Sequence, residues 1–104
     1  MTVADHITAI KAWIDENPIR KKRAKIRASK ENAAVFMGVA LSSLKSWEVG
    51  AHRPTPPSMK RIALFLEVSE EEAQRIWDEW WEKRPGRSEI TDQPLVGENG
   101  GRPY

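Results

Sequence analysis

Apolar residues return every three or four positions along most of this chain, the period of an α-helix with one buried face. Ile7, Ile10, Trp13 and Ile14 form such a stripe within residues 1–16. Met59, Ile62, Ala63 and Leu66 form a second, and Ala73, Ile76, Trp77, Trp80 and Trp81 a third within 70–84. Start and stop residues fall between the stripes. Asp5 favours the first helix start through the macrodipole. Asn17-Pro18 interrupts the chain, because the residue before Pro avoids helical φ/ψ while Pro itself suits a first turn. Ser29 predicts a cap for the next helix, and Thr55, followed by Pro56, another. Ser69 and Glu72 have the spacing of a capping box. Residues 19–27 show only a thin apolar face, which leaves their helicity in the free protein open.

Residues 30–50 read as two short helices joined by a tight turn. Ala33 and Ala34 leave room for a crossing helix, with Val35, Phe36 and Met37 supplying core volume and Phe36 or Met37 facing partly outward. Gly38 sits where the chain must turn, a position that often demands positive φ. Leu44 and Trp47 lie three apart on the inner face of the second helix, about 40–48. Two helices around a short Gly-containing turn form the unit that sets its second helix into the DNA major groove. The outward set is then Leu41, Ser42, Lys45, Ser46 and Val49, with Ser43 on the boundary.

Residues 29–69 resemble the Cro/repressor-type (XRE-type) helix-turn-helix family. Its opening is matched by Ser29-Lys30-Glu31-Asn32-Ala33-Ala34, its turn by Gly38-Val39-Ala40, and its helix end by Trp47-Glu48-Val49-Gly50. Arg53-Pro54, Ile62-Ala63 and Leu66 to Val68-Ser69 continue the likeness. Lys30 replaces the usual Gln, Ala33 the usual Leu, and Ala40 the usual Ser/Thr cap, a loss of roughly 1 kcal/mol. The resemblance implies a compact five-helix, lambda-repressor-like domain over residues 1–84, followed by a flexible tail over 85–104. It also implies backbone or minor-groove contact by Arg53 and backbone approach by Lys30.

Charge sharpens this picture. The chain carries net +2, but residues 17–61 hold eleven Lys/Arg against two acids, net +9, while residues 62–104 are net −5. Six of the nine residues from Ile19 to Arg27 are basic. Such crowding repels itself, and a phosphate backbone would relieve it by counterion release. Arg20, Lys21, Lys22, Arg23, Lys25, Arg27, Lys30, Ser43 and Arg53 are therefore the candidate phosphate contacts. Leu41, Ser42, Lys45 and Ser46 are the candidate base readers, Leu41 through a thymine methyl unless it packs in the core. None of the four is Arg, Asn or Gln, so intrinsic specificity should be modest.

The expected function is sequence-specific binding of double-stranded DNA by a small transcriptional regulator, with repression by occlusion the simplest outcome. An adaptor that docks on another protein through the acidic, Trp-rich helix 70–84 and the tail is the rival. Three Trp within five residues exceed what a small core normally asks for. Trp77, Trp80 and Trp81 are thus candidates for a homodimer interface, with burial of all three in the monomer the alternative. An enzyme is not expected. There is no cysteine, the two histidines are far apart, and no phosphate loop, nucleophile elbow or metal-ligand spacing occurs. Neither cofactor nor metal is expected. The longest apolar run is too short for a bilayer and no signal-peptide layout opens the chain, so a soluble cytoplasmic protein without membrane contact is the expectation.

Overall fold

The computed structural model describes residues 2–85, which form six α-helices and no strand: α1 (Val3–Asp15), α2 (Pro18–Ile26), α3 (Lys30–Met37), α4 (Leu41–Glu48), α5 (Pro56–Leu66) and α6 (Glu70–Glu82). No helix among the described residues is long and apolar enough to cross a membrane. The expected tail lies, beyond Pro85, outside the described residues.

The helix count exceeds the expected five because the basic segment is a full helix. Asn17 explains it. Its side-chain oxygen accepts from the backbone N–H groups of Ile19 (2.9 Å) and Arg20 (3.2 Å), with Pro18 occupying the first turn. Ile19 is fully buried and anchors that turn, so one apolar residue suffices where a stripe is missing. The Asn17 amide also donates to the Trp47 carbonyl at 3.2 Å, tying the start of α2 to the end of α4. Asn17 is itself 0% exposed. Asn17→Ala should therefore lose the cap and leave the Trp47 carbonyl without this donor, a destabilisation of about 2–3 kcal/mol. Urea unfolding followed by circular dichroism measures it, and a loss below ~0.5 kcal/mol would contradict this role.

Other caps vary in their match to expectation. Thr2 and Asp5 make a reciprocal capping box at α1, and Ser29 accepts from the Asn32 N–H. Ser69 caps α6 through the Glu72 N–H at 3.1 Å. Thr55 makes no side-chain cap bond; its hydroxyl contacts Ser58 instead.

The core is filled by Ile19, Leu44, Ile62, Ala73 and Trp77, all with no exposed surface, from helices α2, α4, α5 and α6. The Trp77 indole N–H is the one buried side-chain polar atom without a partner among the described residues. That omission costs about 1–3 kcal/mol. Burying 150–250 Å² of indole returns roughly 4–6 kcal/mol and outweighs it.

Helix α1 is held differently. Trp13 stacks flat on Trp80, with ring centroids 4.0 Å apart and planes 1° from parallel. Each indole N–H donates to the other residue's backbone carbonyl, at 2.6 and 2.7 Å. Of the stripe expected to face the core, only Trp13 is buried. Ile10 and Ile14 are half-buried and Ile7 is largely exposed, because α1 meets the body through its C-terminal end.

This packing corrects the interface expected of the tryptophans. Trp77 and Trp80 are inside the monomer, and only Trp81 is partly exposed. Packing α1 onto α6 requires a large flat surface there, and Trp80 provides it.

Candidate nucleic-acid interface

Helices α3 and α4 are joined by Gly38, Val39 and Ala40. Gly38 adopts φ 69°, and the Val39 N–H bonds back to the Ala34 carbonyl at 3.1 Å, closing α3 with a left-handed cap. Arg61 on α5 donates to the Met37 carbonyl at 2.8 Å, placing a cation on the negative end of α3. Ala40 begins α4 without a side-chain cap bond, as its lack of a hydroxyl dictates. Leu44 and Trp47 point inward.

The outward face of α4 then carries Ser42, Lys45 and Val49 in full exposure, with Leu41, Ser43 and Ser46 half-buried. Leu41 packs partly against the core and offers only part of its side chain. Ser42, Lys45, Ser46 and Val49 follow helical spacing and make one continuous face. Lys45 makes no ion pair among the described residues.

What braces α4 from behind was not legible as a role in the sequence. Glu48 is 1% exposed and receives a two-pronged ion pair from Arg23, Nε to Oε2 at 2.8 Å and Nη2 to Oε1 at 2.9 Å. Arg23 spends its remaining nitrogen on the Ala28 carbonyl at 3.2 Å. Arg20 adds a longer contact to Glu48 at 3.8 Å. One signal was present: Glu48 is one of only two acids in the basic block 17–61. One of two acids among eleven bases, next to an inward Trp, invites a structural partner.

The basic candidates therefore divide. Arg23 is withdrawn as a phosphate contact because its guanidinium is consumed by Glu48 and Ala28. Lys22 is drawn to Glu67 at 2.7 Å, and Lys21 to Glu16 at 3.3 Å on the surface. Arg20 shares Asp15 and Glu48. Arg53 turns away from α4 onto α6, where it pairs with Asp78 and lies 5.1 Å from the Trp81 ring centroid. Lys25 and Arg27 are exposed and Lys30 half-buried, none with an ion pair among the described residues. Around these pairs the hydrogen bond from Lys22 holds the Glu67 carboxyl below the ordinary carboxylate range, aided by the Lys22 charge. A hydrogen bond from Arg75 does the same for Glu72.

Compared with known protein families, curated proteins and solved structures, the chain shows no match. Function must therefore be read from the geometry alone. It brings Ser42, Lys45 and Ser46 onto one face. It withdraws Arg23, Trp77 and Trp80 from the surface and turns the exposed Arg53 onto Asp78 of α6.

Proposed function

We propose that this chain is a Cro/repressor-type helix-turn-helix protein that binds double-stranded DNA, with α4 as the helix entering the major groove. The observation that carries the reading is the outward face of α4: small hydroxyls and one unpaired lysine, Lys45, on a helix clamped from behind by Asn17, Arg23 and Leu44. A helix without bulky outward side chains can approach base edges closely, and rigid bracing lowers the ordering cost of doing so. Lys25, Arg27 and Lys30 supply unpaired positive charge for phosphates. Regulation by occluding a promoter is the simplest consequence.

The adaptor reading draws less support. Its tryptophans Trp77 and Trp80 are in the core, which leaves α6 a charged outer face whose Arg75 is already paired with Glu72 and Glu79.

The test is binding to duplex DNA selected from a random pool, measured against salt. Lys25→Ala/Arg27→Ala should flatten the log–log salt slope by about 0.9 for each phosphate no longer neutralised, with little change in site preference. Lys45→Ala should weaken binding about 10-fold or more and alter the preferred site if it reads a base. DNA affinity that ignores salt and all three substitutions would sink the proposal.

A further inference from the structure

Helix α1 is fixed to α6 through the stack of Trp13 on Trp80, and beside that joint the two helices leave a groove of about 600 Å³. That is the size of a small-molecule site. Ala9 of α1 lines it and has no side chain beyond Cβ to fill it. Leu66 and Val68, at the junction of α5 and α6, and Ile76 of α6 give it apolar walls, and all three are half-buried. Trp13 and Trp80 border it as well. Both indole N–H groups are spent on backbone carbonyls, so these rings offer the groove carbon alone.

Four charged side chains line the same groove: Glu16, Lys21, Glu79 and Lys83. Three of them already have partners. Lys21 pairs with Glu16 at 3.3 Å, and Glu79 with Arg75 of its own helix at 2.5 Å. Lys83, one turn after Glu79, is exposed and makes no ion pair among the described residues. Acid and base thus cancel along the groove except at Lys83, which leaves an apolar channel with one uncompensated ammonium. An occupant that fits needs a hydrocarbon body, because the walls it touches are carbon. It needs a single negative charge, because a second would face Glu16 or Glu79.

We propose that the α1/α6 groove binds a medium-chain apolar monocarboxylate, its hydrocarbon lying against Leu66, Val68 and Ile76 and its carboxylate accepting from Lys83. The inference does not depend on DNA binding.

Trp13 and Trp80 supply the readout, since an occupant of the groove changes their fluorescence. The full chain is titrated with decanoate and, separately, with decanol as its uncharged analogue. Decanoate should saturate at sub-millimolar concentration and bind about 10-fold more tightly than decanol. Lys83→Ala should erase that preference, bringing the two within about 2-fold while decanol binding stays as it was. Ala9→Phe fills the groove and should weaken both ligands at least ~20-fold with helical circular dichroism unchanged. Should that variant fail to fold, the Lys83→Ala comparison decides alone. Saturating decanoate should also raise the midpoint of thermal unfolding, as a ligand of the native state does and a surfactant does not. No saturable binding, equal affinity for decanoate and decanol, a preference that survives Lys83→Ala, or a lowered midpoint would each overturn the inference. Displacement of decanoate by a peptide of residues 86–104, or an affinity that falls as protein concentration rises, would assign the groove to this chain itself and overturn it too.

Discussion

Gly50→Ala should be among the most damaging single methyl additions available in this chain, lowering the midpoint of thermal unfolding by at least ~10 °C. Gly50 follows α4 with φ 74°, in the left-handed region that costs an L-residue about 1–2 kcal/mol. A Cβ placed there would sit 2.4 and 2.7 Å from two ring carbons of Trp13. That ring cannot yield easily. It is stacked on Trp80 and held by two reciprocal hydrogen bonds, so any retreat breaks the joint between α1 and α6. Overpacking of this kind adds about 1–3 kcal/mol. Gly38→Ala is the internal comparison. It has nearly the same φ, 69°, but its Cβ would meet only the Arg61 guanidinium at 2.7 Å, the end of a flexible side chain. Its expected loss is about 1–2 kcal/mol of backbone strain, plus about 1 kcal/mol for the Arg61–Met37 hydrogen bond it displaces. Melting curves of the two variants side by side decide the matter, and equal midpoints would show that Trp13 does not define the space around Gly50.

Arg23→Ala is expected to destabilise the fold by about 3 kcal/mol or more at neutral pH, because it strands a carboxylate that has almost no contact with water. Arg20, already 3.8 Å from Glu48, offsets part of this and holds the loss toward the lower end of the 3–5 kcal/mol typical of broken buried pairs. The combined change Arg23→Met/Glu48→Leu should recover most of the stability, since it removes both charges and keeps the volume. Denaturant unfolding of the two singles and the double forms a cycle that isolates the coupling. The same variants separate structure from binding. If Arg23 were a phosphate contact, the double variant would also lose a unit of salt dependence in DNA binding. With Arg23 occupied by Glu48, the salt slope should stay where it was.

The motif around Gly38 was legible because its demands are local. A left-handed turn, two small residues before it and inward residues three apart all concern neighbours within a helix turn or two, and each took the position expected of it. Ala40 likewise lacks a cap bond for a reason visible in its own side chain. The helicity of residues 18–26 was less legible because it rests on a single buried Ile19 and on Asn17 reaching both forward to Arg20 and across to Trp47. The first reach is readable from spacing; the second spans 30 residues.

The sequence by itself determined most helix starts, which face of α4 looks outward, and how charge divides along the chain, but not that the basic segment is a helix. Those properties follow from contacts one to four residues apart and from composition. Only the tertiary structure decided which charges are spent and which are free. Arg23 and Glu48 are 25 residues apart, as are Arg53 and Asp78, and no local spacing names either partner. It decided, too, that Trp80 turns inward to meet Trp13 across 67 residues, while Val35, Phe36 and Leu64 remain bare. Helical periodicity identifies an apolar face, but the crossing of helices distant in sequence settles which apolar faces find partners within the chain.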